Sequence, residues 1–169
     1  MKKRFLIRSM VAFALAAMVL AVLSACMVQT NNGSASDTQV ANRDYMTQVN
    51  RIMDTLTTDL SSFNQAVSDE DIVGMNEYAD SADKTINELA ALTPPDDLKD
   101  IHSEYLQGCE QLRDALSDYR DLYAKVSSAT EAQPFDYSTF DSQLSKIRQK
   151  YDGGISHLEK ADQEAQDLG

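Results

Sequence analysis

The chain has 169 residues, 27 of them acidic and 15 basic, for a formal net charge of −12 at pH 7. Charge of that sign repels phosphate backbones and other anionic polymers, which excludes nucleic acid as a partner and favours basic partners or cations. Two cysteines, Cys26 and Cys109, are too few for a disulfide framework.

Residues 1–26 read MKKRFLIRSMVAFALAAMVLAVLSAC. Four basic side chains (Lys2, Lys3, Arg4, Arg8) precede an uncharged run from Met10 to Val22, the order of a bacterial export signal. The closing string Leu23-Ser24-Ala25-Cys26 resembles the lipobox of bacterial lipoproteins. That resemblance implies a diacylglyceryl group on the Cys26 sulfur and cleavage just before it, leaving the protein on the outer face of the cell membrane. An uncleaved anchor is the competing reading, but the run is short of the ~20 apolar residues that span a bilayer. Loss of residues 1–25 leaves 11 basic against 27 acidic residues, a net −16. With lipid on Cys26, Cys109 has no partner within the chain, so this thiol reads as a small buried hydrophobe among apolar helical positions.

Residues 26–41 are predicted to form a lipidated tether, because Asn, Ser, Thr, Gly and Gln there offer too little apolar surface to order a fold. As a coil it spans roughly 20 Å. Residues 42–169 suit one domain with a sizeable core.

In that domain apolar or small residues recur three and four apart, the seam of a helical bundle. The first seam is Met46, Val49, Met53, Leu56, Leu60, Phe63 and Val67, and the second is Ile72, Met75, Ala79, Ala82, Ile86 and Leu89. The third runs from Leu98 through Ile101, Tyr105, Gly108, Leu112, Ala115, Tyr119 and Leu122 to Val126, widened by Leu106, Cys109, Leu116 and Tyr123. The fourth is Phe140, Leu144, Ile147, Tyr151, Gly154, His157 or Leu158, Ala161, Ala165 and Leu168. Ser68 with Asp71 reads as a capping pair after the first seam, Pro94-Pro95 breaks the second from the third, and Asp136 or Ser138 caps the fourth. Short connections make neighbours antiparallel, so the expected fold is all-α, an up-down-up-down four-helix bundle. No alternating strand pattern is present, and no sheet is expected.

Hairpins closing at Ser68, Thr93–Pro95 and Pro134 would bring Ala79, Gly108 and Gly154 to one level near Leu56. Two readings stay open for this small-residue waist. One is close helix approach. The other is a small apolar ligand pocket rimmed by Tyr105, Cys109, Tyr151 and His157. His102 and His157 otherwise read as surface or seam-edge residues.

Bundle di-iron sites need Glu-x-x-His pairs, whereas Lys99 and Gly154 stand three residues before the two histidines. No His pair at i, i+4, no Gly-rich phosphate loop and no calcium loop occurs either, so no metal, cofactor or catalytic residue is assigned. The stretch LAALTPPDDLKDIHSEYLQGCEQLRDALSDYRDLY (89–123), with ISHLEKADQEA (155–165), resembles small uncharacterised lipoproteins of Gram-positive bacteria. The resemblance implies an envelope location and a helical fold and carries over no catalytic residue. The expectation is a non-enzymatic, membrane-tethered module that binds an envelope protein or a ligand. An exported enzyme or enzyme accessory, and a structural or stress-responsive envelope protein, are the alternatives.

Overall fold

Ser36 starts the first helix. In the computed structural model, which describes residues 36–168, its hydroxyl accepts the Gln39 amide proton at 3.2 Å while Gln39 Oε1 accepts that of Ser36 at 3.0 Å, a reciprocal capping box. Helix α1 spans Asp37–Ser68, so it begins inside the segment expected to be tether. Residues 36–41 are all exposed. Their helicity therefore comes from the cap, from Asp37 against the helix dipole, and from propagation out of the packed turns beyond. Cys26 and the export signal lie outside the described residues.

Three further α-helices follow: α2 (Ile72–Ala90), α3 (Lys99–Ser127) and α4 (Phe140–Asp167). Single 3-10 turns at Asp96–Leu98 and Tyr137–Thr139 lead into α3 and α4. The reversal after α1 differs from the expected Ser68/Asp71 pair. Ser68 stays in α1, bonded back to the Asn64 carbonyl, and Asp71 alone caps α2 by accepting from the Val73 amide at 3.1 Å. Glu70 makes the turn between them in the left-handed region, at φ 57°. Of the two candidates before α4, Asp136 is the cap, taking the Ser138 amide at 2.9 Å.

The order of cross-helix pairs shows alternating directions. Arg113 and Arg120 of α3 meet Asp83 and Asp80 of α2, and Glu104 and Asp118 of α3 meet His157 and Lys150 of α4. Ascending numbers on one helix meet descending numbers on the next, which is an up-down-up-down four-helix arrangement. The described residues contain no strand. Backbones run closest between α3 and α4 and between α1 and α2, less closely between α2 and α3, and α1 and α4 make few such approaches.

The core is the predicted seams brought together. Val49, Leu56 and Phe63 of α1, Met75, Ile86 and Leu89 of α2, and Tyr105, Cys109 and Leu112 of α3 are fully buried. The period holds because heptad-like spacing puts each of these on one side of its helix. Seam ends are less covered: Ile72 and Leu168 are exposed, and Met46, Val126 and Phe140 are partly buried.

Candidate functional site

The small-residue waist is a helix crossing. A Cβ on Gly108 would lie 2.8 Å from the Gly154 carbonyl oxygen, and one on Gly154 would lie 2.8 Å from the Gly108 carbonyl oxygen. Leu158 and Leu112 fill the flanks at similar distances. Here α3 and α4 touch backbone to backbone, which leaves no volume between the two glycines for a ligand. Ala79 is not at this level. Its neighbour Asp80 pairs with Arg120 at 2.8 Å, and Arg120 lies about 18 Å further along α3 than Gly108. The α2–α3 connection, with its proline pair and 3-10 turn, shifts the register that a tight reversal at Thr93–Pro95 would have set.

The four expected rim residues take separate roles. Cys109 is fully buried, and burial pushes its thiol up to about 12. Tyr151 is buried with its hydroxyl toward the Asn64 side chain, and burial raises its pKa. Tyr105 is buried and donates to Asp162 at 2.5 Å. His157 sits at the α3–α4 edge with Nδ1 2.7 Å from Glu104 Oε2.

These last two belong to a polar layer near the end where α1 and α3 begin and α2 and α4 finish. Glu104 also takes Lys160, and its carboxyl is held below the usual range first by that lysine and then by His157. Burial raises Asp162, partly offset by the Tyr105 hydroxyl. Across the core, Tyr45 Oη and His102 Nδ1 lie 2.6 Å apart, with the rings edge to face at 6.1 Å. Burial lowers the His102 pKa and pushes Tyr45 up to about 12, which fits a neutral imidazole accepting the phenol proton. Of the two expected positions, surface or seam edge, His102 takes the seam edge, and it is buried there. It stands four residues before Leu106 on the widened face of the third seam, and Tyr45 gives it the bond that burial requires. That spacing was the available signal. Nothing in the sequence pairs Tyr105 with Asp162 or Glu104 with Lys160, since each bond joins residues more than fifty positions apart.

Chemically the layer is self-contained. Glu104 is engaged by Lys160 and His157, Asp162 by Tyr105, and the Tyr45–His102 pair is shut from solvent. Among the described residues no group of three or more His, Cys, Asp or Glu is placed to hold a metal ion, and no helix is long and apolar enough to cross a membrane.

Exposed apolar surface has a simpler distribution. Among the described residues, the large hydrophobic side chains most open to water are Val40, Ile72, Val73, Tyr137 and Leu168, and all five lie at helix ends. Val40 and Leu168 mark the end where α1 starts. Ile72, Val73 and Tyr137 mark the opposite end, where the α1–α2 and α3–α4 connections close the bundle. The flanks carry the ion pairs instead. Compared with protein-family models, curated proteins and solved structures, the chain matches none.

Proposed function

We propose that this chain is a lipid-anchored protein of the bacterial envelope, held at the outer face of the membrane through a diacylglyceryl group on Cys26. It works there as a non-enzymatic module that contacts a protein partner through an end of its bundle. The anchor rests on the basic and apolar leader and the Leu23-Ser24-Ala25-Cys26 string. Two acyl chains suffice for stable anchoring where one is marginal.

The observation that carries the contact reading is that, among the described residues, the large apolar side chains most open to water lie at the two ends of a rod whose sides are charged. Surface of that kind is where association removes most unfavourable hydration. Ser36 lies ten positions after Cys26, a reach of at most about 35 Å, so the Val40 end stays close to the membrane. The Val73 end can then reach further out, since α1 with its 32 residues is about 48 Å long. The non-enzymatic reading is supported by the closure of the polar layer.

Replacing Cys26 by Ala is expected to abolish incorporation of labelled fatty acid and to release the domain into the medium or leave the leader uncut. A photo-crosslinking amino acid in place of Val73 should trap a protein in intact cells, whereas the same group in place of Thr55 on the flank should not. Fatty-acid labelling that survives Cys26→Ala, or equal trapping at both positions, overturns the proposal.

A further inference from the structure

We infer that the loop-closed end of the bundle, carrying Ile72, Val73 and Tyr137, docks a basic protein segment that supplies its own apolar side chains. This rests on the interaction reading above and names the partner's chemistry. Val73 is 75% exposed, Tyr137 53% and Ile72 48%, while the seam residues of the adjoining turns, Phe63, Val67, Met75 and Leu122, are buried. Tyr137 is not a loose loop residue. Its ring meets Phe135 edge to face at 5.0 Å and Phe140 at 6.4 Å, and both phenylalanines pack on the core, so it stands on a fixed aromatic base. Val73 is fixed as well, because its amide is tied to the Asp71 carboxylate in the first turn of α2. Rigid apolar side chains of this kind lose little entropy on being covered.

The charge around them sets the partner's sign. Residues 64–78 and 121–144, which build this end, contain eight acidic side chains and one basic one, Lys125. Asp69, Glu70, Asp71, Glu131 and Asp136 are all exposed there. Glu70 acts electrostatically on Tyr123, which joins the α1–α2 turn to the last turns of α3 in one field. Anionic lipid, wall polymers and nucleic acid meet this surface with like charge, and so does a second copy of the same end. A segment alternating cationic with apolar side chains meets both features, with charge guiding approach and apolar burial holding the complex.

The test uses mature lipidated protein in zwitterionic nanodiscs, with a fluorescent 14-residue peptide of Leu and Lys as the probe. Comparison peptides carry Ser for Leu or Glu for Lys, and empty discs give the lipid background. The Leu/Lys peptide is expected to bind at least tenfold more tightly than either comparison. Val73→Ser with Tyr137→Ser should weaken it at least tenfold, and Val40→Ser at the other end should leave it unchanged. Circular dichroism of each variant checks that the fold is retained. Equal binding of the Ser/Lys peptide, tighter binding of the Glu peptide, or no effect of the Val73 and Tyr137 changes overturns the inference. So does self-association of the protein through this end in sedimentation. If the photo-crosslinker at Val73 traps a protein in cells while the Leu/Lys peptide fails to bind, only the partner's chemistry is wrong. Failure of both removes the interaction reading too.

Discussion

Cys109 shows how one residue's chemistry is set by its surroundings. A free thiol is a candidate nucleophile, but only the thiolate reacts. Here the side chain is fully buried beside the Gly108–Gly154 contact, and burial pushes the thiol up to about 12. The expected outcome is a reaction with Ellman's reagent at pH 8 at least about a hundredfold slower in the folded protein than in 6 M guanidinium, where an ordinary thiol near 8.5 is restored. Equal rates would mean the site opens readily. Asp59 is a second buried polar residue, on the α1–α2 contact, where its carboxylate accepts from the Thr85 hydroxyl at 3.2 Å. Neither Asp59 nor Thr85 falls on a predicted seam position, and it is their proximity across two helices that makes the burial tolerable.

Between elements, the α3–α4 contact rests on the adjacent glycines Gly153 and Gly154, which face different neighbours. A Cβ on Gly154 meets the Gly108 carbonyl oxygen and Leu112, a backbone and a packed core side chain. One on Gly153 meets the far end of the Gln111 side chain, which can swing aside. Glycine inside a helix costs about 1 kcal/mol relative to alanine. Gly153→Ala is therefore expected to stabilise the protein by up to about 1 kcal/mol once Gln111 moves. Gly154→Ala should destabilise it by about 1–3 kcal/mol, because overpacking forces α3 and α4 apart. Urea unfolding of the two variants checks both signs, and a stabilising Gly154→Ala would contradict the crossing. Seam spacing already separates the two, since it puts Gly154 and not Gly153 on the inward side of the fourth helix, but it does not show that Gly154 meets a backbone carbonyl there.

For the molecule as a whole, stability should fall on acidification in two stages. The folded pKa of His102 lies below its unfolded value near 6.5, so the unfolded chain takes up the proton first. Its contribution is complete above about pH 6.5 and is lost as pH falls toward the folded value. Glu104 and Asp136 are likewise lowered, by Lys160 and His157 and by Ser138, and their contribution is lost lower, as pH drops through the carboxylate range. Asp162 opposes them. Its pKa is raised, so it binds a proton in the fold first and favours the fold more as pH decreases. Melting temperatures measured at half-unit steps should therefore decline below about pH 6.5 and again near pH 4. His102→Gln should remove the first decline and keep the second, and an unchanged profile would refute the assignment. The helical class, the four segments and most core positions could be read from spacing alone, because burying one side of a helix imposes its period on the chain whatever the partner. Local chemistry placed most boundaries within a few residues, although the Ser36–Gln39 cap started α1 before the expected tether ended. Register was legible only in part. The expected hairpin near Pro134 does bring Gly108 level with Gly154, but the α2–α3 register sets Ala79 apart, and the burial of His102 against Tyr45 and the gathering of Lys160 and His157 by Glu104 were not readable. Such pairings depend on how far each connection shifts one helix past the next, a distance that only the packed tertiary structure determines.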